Sequence, residues 1–104
     1  MRIVYRPAAI SDLRSTSDYI ACTLQNPKAA QKLRVQILRG VSRLRENPFM
    51  GVSLRGRLDG FYGAMRVLIV GKQLVFYEVQ DETVEIIRIL DGRTDYLSRL
   101  FEEI

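Results

Sequence analysis

VGKQLVFYEVQDETVEIIRILDGRTDYLSRLF, residues 70–101, is the stretch that decides the fold. Two runs rich in Val, Ile, Leu, Phe and Tyr, Gln73 to Val79 and Val84 to Leu90, read as strands. Gln80 to Thr83 supplies a polar turn between them. Before them, Gly71-Lys72 reads as a two-residue turn with glycine in the first central position, which joins Gln73 to a preceding strand over Ala64–Val70. Three consecutive strands connected this tightly make an antiparallel meander. The run then passes into Gly92, Arg93, Thr94, Asp95 and Tyr96, a segment too polar for a core, so the sheet delivers basic and aromatic side chains to one edge.

Working toward the N-terminus, Ile3-Val4-Tyr5 makes a short strand halted by Pro7, and Pro7 suits the first turn of a helix, where its missing N–H costs nothing. Ile10, Leu13, Ser17, Ile20 and Leu24 recur at helical spacing up to Asn26-Pro27. Asn26 is placed to cap a second helix with Pro27 at its first position. In that helix Ala30, Leu33, Ile37, Val41 and Leu44 share one arc, and Lys32, Gln36, Arg39 and Arg43 lie on another. Asn47-Pro48 stops it. Residues 49–63 form an irregular segment with Gly51, Gly56, Gly60 and Gly63, the arginines Arg55 and Arg57, and the aromatics Phe61 and Tyr62. Beyond Tyr96, the residues Leu97, Leu100, Phe101 and Ile104 suit a short amphipathic tail with Asp95 as its cap. The order β-α-α-β-β-β implies an α+β fold: a helical hairpin packed on one face of a twisted antiparallel four-stranded sheet, since neither apolar stripe can be buried alone.

With 104 residues, 47% of them hydrophobic, the chain is long enough for one modest core, a single domain over residues 1–104. Lys and Arg number 16 against 12 Asp and Glu, with no histidine, so the +4 charge is fixed at neutral pH and permits a polyanionic or acidic partner. Cys22 is the one cysteine, which excludes an internal disulfide and suits a reducing compartment. No signal-peptide pattern and no apolar run of membrane-spanning length is visible, so a cytoplasmic protein without membrane contact is expected. The chemistry is restricted in the same way. Without histidine or a cysteine cluster no metal site or Cys-His nucleophile is indicated, and neither nucleotide-binding glycine motif occurs, so no cofactor is expected.

Arginine, lysine and tyrosine remain. Arg66 and Arg88 each stand inside an apolar strand, where an unpaired charge is expensive. Each reads either as a phosphate clamp or as half of a salt bridge, with Glu78 or Glu85 as partners in reach by sequence. Arg93 and Tyr96 read as groups that bind or act on a nucleic acid, against Asp95 and Tyr96 serving only capping and packing. Arg55 and Arg57 are loop charges available to a target, and the Lys32, Arg39, Arg43 arc reads first as a solvated helix face.

Across the whole chain these features resemble one family. The Asn-Pro-Phe-Met-Gly stop at 47–51, the LVFYEV strand at 74–79 and the VEIIRILDGRTDY ending at 84–96, in that order, are similar to the RelE/ParE superfamily of type II toxin–antitoxin toxins. The resemblance implies a toxin neutralised by a cognate antitoxin whose disordered segment folds onto it. It also implies one of two targets: ribosome-bound mRNA, cleaved by RelE-like members, or DNA gyrase, inhibited by ParE-like members. For a metal-independent ribonuclease it implies Arg66, Arg93 and Tyr96 as catalytic residues, while Arg55, Arg57 and Arg88 are candidates for target binding on their own reading as loop and strand charges. Leu74 stands where RelE-like members carry an arginine and Thr94 where many carry a second one, whereas the Pro-x-Met-Gly loop and the VEIIRIL strand look closer to ParE. An interaction domain without toxicity, its arginines all structural, is the alternative outside the family.

Overall fold

The computed structural model describes residues 1–55 and 63–94. Strand β1 (Arg2–Tyr5) leads into helix α1 (Pro7–Asp18), a π-helical turn (Tyr19–Thr23) and helix α2 (Pro27–Ser42), which finishes in a 3₁₀ turn at Arg43–Arg45. Strands β2 (Val52–Ser53), β3 (Arg66–Val70), β4 (Gln73–Gln80) and β5 (Thr83–Asp91) follow. They form one five-stranded sheet in the order β1-β5-β4-β3-β2.

The α+β class and the helical hairpin stand as expected, and two details of the sheet differ. β1 runs parallel to β5, pairing Arg2 with Thr83 and Tyr5 with Ile86. An apolar triplet has the same alternation in either direction, so strand polarity is set by where the helical hairpin begins and not by the strand's own pattern. The fifth strand, β2, pairs Val52 with Val67 and Ser53 with Arg66. Two residues are too few to carry a period of two, and sequence alone leaves them in the loop.

The turns follow their residue chemistry. Gly71 has φ 60° at the β3–β4 turn, and Asp81, a residue that tolerates the left-handed region, has φ 55° at the β4–β5 turn. In α2 the Asn26 carboxamide oxygen accepts the Ala29 N–H at 3.1 Å, and the expected stripe packs inward, with Ala30, Ile37, Val41 and Leu44 buried. The stripe expected for α1 holds in part. Ser17 is buried and Leu13 packs against the core, whereas Ile10 and, beyond the helix, Leu24 are exposed. Ala9 and Asp12 are buried beside them, and Asp12 is a charge that an apolar stripe cannot signal. Ser17 is met by the Arg34 guanidinium of α2, which ties the hairpin together.

The sheet is apolar on both faces. Val75, Tyr77, Val84, Ile86 and Ile89 pack with Ala9, Ile37, Val41 and Leu44 of the helices. Leu54, Met65, Phe76, Ile87 and Leu90 form a second cluster, with Val67 and Leu74 against it. A register shift between Phe76 and Tyr77 pairs them with Arg88 and Ile86, leaving Ile87 as the extra residue of a bulge.

Candidate functional site

Arg66 opens β3, and its side chain turns back over the segment that follows α2. One guanidinium nitrogen donates to the Gly51 carbonyl at 2.6 Å and, more loosely, to the Phe49 carbonyl at 3.4 Å. The guanidinium also stands 4.9 Å from the centre of the Phe49 ring. Tyr77, across the strand pair from Arg66, completes the clamp. Its hydroxyl donates to the Pro48 carbonyl and accepts the Gly51 N–H, both at 2.8 Å. A Cβ on Gly51 would lie 2.6 Å from the Tyr77 hydroxyl and 2.7 Å from the Val67 carbonyl, so the close approach requires glycine. Burial raises the Tyr77 pKa, against the Gly51 hydrogen bond and the Arg66 charge, and the phenol stays protonated. Arg66 therefore positions a loop. The loop presents Phe49, 62% exposed, and Met50 to solvent.

Beside that loop, Arg39 of α2 and Arg43 of the 3₁₀ turn border a groove of about 390 Å³ lined also by Met50, Leu68 and Ile69. The helix approaches β3 closely here, since a Cβ on Gly40 would meet a Val70 methyl at 2.8 Å. Ile69 is 65% exposed. The arc read from sequence as a solvated face is thus half of a basic and apolar surface. Only the pairing that places β3 against α2 reveals the other half.

Arg88 takes the salt-bridge reading, with a partner that strand spacing does not suggest. Its guanidinium forks onto Asp12 of α1, Nε to one carboxylate oxygen at 2.7 Å and a terminal nitrogen to the other at 2.8 Å. Both side chains are under a tenth exposed. Asp12 also accepts the Ile89 N–H at 3.0 Å. That amide lies beyond Ile86, whose carbonyl accepts the Arg6 N–H as β1 ends. One carboxylate thus continues the edge of β5 and neutralises a buried cation. Arg88 is enclosed, which corrects the expectation that it faces a target.

Arg93 lies at the other end of the sheet, held on Asp91. Its Nε and a terminal nitrogen reach the two carboxylate oxygens at 3.0 and 2.6 Å, and its backbone N–H adds a bond at 2.8 Å. These bonds, with Arg93 hydrogen bonding the largest cause, lower the Asp91 pKa to about 2. Arg66 is level with Tyr77 while Asp91 is level with Gln73, a separation of roughly 13 Å along the strands. Arg66, Arg88 and Arg93 do not converge. Arg55 is exposed in the turn after β2; Arg57, Asp95, Tyr96 and the tail from Leu97 to Ile104 lie outside the described residues. Among the described residues no cluster of His, Cys, Asp and Glu could hold a metal ion, and no helix is long and apolar enough to cross a membrane.

The chain is a small α+β domain in which a helical hairpin packs on a five-stranded sheet and sets arginines beside exposed apolar residues. A family model for the ParE toxin of type II toxin–antitoxin systems, parDE, matches residues 3–96, and the chain belongs to that family. It is the toxin component of such a system, with a cognate antitoxin as partner. The fold matches a chain of the chromosomal ParDE toxin–antitoxin system from P. aeruginosa with a TM-score of 0.72 and 22% identity, over 88% of this chain and 95% of that one. No curated protein matches the chain significantly.

Proposed function

We propose that this chain arrests growth without catalysis, by binding DNA gyrase in the cytoplasm, and that its antitoxin relieves the block by covering the toxin. The observation that carries this reading is the fate of the arginines. A metal-free ribonuclease needs several cations and a proton-transfer group around one scissile phosphate. Here Arg66 is engaged with loop carbonyls, Arg88 with Asp12 and Arg93 with Asp91, at three separate places. Inhibition by binding requires only a shaped surface. Phe49, Met50 and Ile69 provide exposed apolar anchors, and Arg39 and Arg43 a cationic rim, the composition of a protein-docking face. Arg66 serves that face by holding the loop that bears Phe49 and Met50.

The test uses the purified chain in a gyrase supercoiling assay beside cleavage of mRNA on translating ribosomes. Loss of supercoiling with intact mRNA is expected. Cleaved mRNA with normal supercoiling would transfer the function to the nuclease branch, and no effect in either assay on a folded chain would favour an interaction domain without toxicity.

A further inference from the structure

Helix α2 lies in the part of the chain that concentrates its positive charge. Residues 19–45 hold Lys28, Lys32, Arg34, Arg39, Arg43 and Arg45 and no Asp or Glu, so this segment carries +6, whereas the rest of the chain, with ten Lys and Arg against twelve Asp and Glu, carries −2. A formal charge of +4 thus conceals a polarised molecule. Such a one-sided field draws in a polyanion more strongly than the net charge suggests.

Four of the six cations form one row. At about 100° per residue, Lys28, Lys32, Arg39 and Arg43 fall within about 60° of one another around the helix axis, and at 1.5 Å per residue the row is about 22 Å long. All four are exposed. Lys28, Lys32 and Arg39 border a shallow groove along α2 with Gln31 and Gln36, and Arg39 and Arg43 border the next one, also with Gln36. Among the described residues no Asp or Glu lines either groove. The nearest acids in the chain, Asp18 and Glu46, stand beyond the two ends of the segment, and Asp91, on the cleft at the other side of Gln36, is held by Arg93. The ion pairs among the described residues are Arg6–Glu85, Arg88–Asp12 and Arg93–Asp91, and none draws on the row.

The row opposes the helix that carries it. Lys28 with Lys32 and Arg39 with Arg43 are like charges at i and i+4, which repel. Lys28 also sits in the first turn of α2, where no acidic residue balances it and the helix dipole disfavours a cation. Folding alone gives no reason for these charges, and a bound polyanion would relieve all of them together.

The company the cations keep decides which polyanion fits. Lysine is depleted at protein–protein interfaces, whereas phosphate oxygens take Lys, Arg and Gln alike. Single strands are held by stacking their bases on aromatic rings, and among the described residues lining the two grooves there is none. A row of about 22 Å exceeds the roughly 12 Å width of the major groove, so it can reach phosphates on both strands of a duplex.

We propose that this face of α2 and the 3₁₀ turn binds the phosphate backbone of duplex DNA, independently of sequence. It adjoins the groove lined by Met50 and Ile69 and shares Arg39 and Arg43 with it, so one toxin would touch gyrase and the DNA that gyrase holds. That placement rests on the gyrase reading above, whereas the DNA contact itself does not.

The test is fluorescence anisotropy of a labelled 24-base-pair duplex with the refolded full chain across a salt series. Four phosphate contacts predict a slope of about −3.6 in log affinity against log salt, and two unrelated duplex sequences should bind alike. Lys28→Gln combined with Lys32→Gln, exposed changes outside the Met50 and Ile69 groove, should bring the slope to about −1.8 and weaken binding at least tenfold in 0.1 M salt. Arg2→Gln, an exposed cation on β1, should leave the slope unchanged. Circular dichroism of each variant confirms that the fold is kept.

No salt-dependent binding of the duplex, or a slope that Lys28→Gln with Lys32→Gln does not reduce, would overturn the proposal. So would tighter binding of poly-glutamate, which would assign the face to an acidic protein, or of a single-stranded RNA of equal length. A supercoiling assay on the same preparation separates the two levels. A chain that inhibits gyrase and binds no duplex refutes the DNA face and leaves the gyrase reading intact, whereas a chain that binds the duplex through Lys28 and Lys32 and leaves gyrase active supports the face and refutes that reading.

Discussion

Replacing Asp12 by alanine removes the partner of a buried cation. The Arg88–Asp12 fork is under a tenth exposed on both sides, and the same carboxylate accepts the Ile89 N–H. Breaking a buried pair from one side leaves an uncompensated charge and costs about 3–5 kcal/mol. Small domains have only about 5–15 kcal/mol in all, so Asp12→Ala should take away a large fraction of the stability, a fall in Tm of well over 10 °C at roughly 4–8 °C per kcal/mol. The assay is urea denaturation of the refolded chain followed by circular dichroism. Two further variants isolate the cause. Asp12→Leu combined with Arg88→Met removes both charges and should recover much of the loss, because the desolvation of two ions disappears with them. Glu85→Ala, which breaks the half-exposed pair with Arg6, should change stability by at most about 1 kcal/mol. If Asp12→Ala costs less than about 1 kcal/mol, or the double variant is no better than the single one, the pair does not anchor α1 to the sheet.

Gly51→Ala places a Cβ against the Tyr77 hydroxyl and a backbone carbonyl and should cost about 1–3 kcal/mol in thermal unfolding. Tyr77→Phe leaves the buried Gly51 N–H without its acceptor, so a loss of about 1–3 kcal/mol is expected, with faster amide exchange at Gly51. Because the Asp91 pKa is lowered to about 2 by Arg93, the contribution of that pair is complete above the ordinary carboxylate range and declines as pH falls through 2; a carboxyl-carbon NMR titration of Asp91 with an ordinary midpoint would contradict the geometry. Tyr96→Phe should leave growth inhibition nearly unchanged in an induction assay, and a strong loss would favour the nuclease branch.

Much of the fold was legible because it depends on local signals. Asn26 caps α2, Pro7 and Pro27 begin the helices, and Gly71 turns the hairpin, each through chemistry visible in two or three residues. The Ala30–Leu44 stripe was equally clear, because α2 buries an apolar arc against the sheet. α1 is legible only in part: Leu13 and Ser17 of its stripe face inward, but Asp12 is buried for a partner 76 residues away, Arg88, and no window of sequence holds both ends of such a pair. The site was less legible for the same reason. Arg66 and Arg88 stand out in the sequence as charges within strands, but their acceptors, the Gly51 carbonyl and Asp12, depend on tertiary placement. Met50 and Ile69 carried no signal of their own, since an exposed apolar residue is defined only once its neighbours are in place.

The most direct test of the non-catalytic reading is the topology of a reporter plasmid in a susceptible bacterium after the chain is induced without its antitoxin, with total mRNA analysed from the same cells. Relaxed or cleaved plasmid together with full-length transcripts is the expected result; normally supercoiled plasmid with transcripts cut within their coding regions would contradict it.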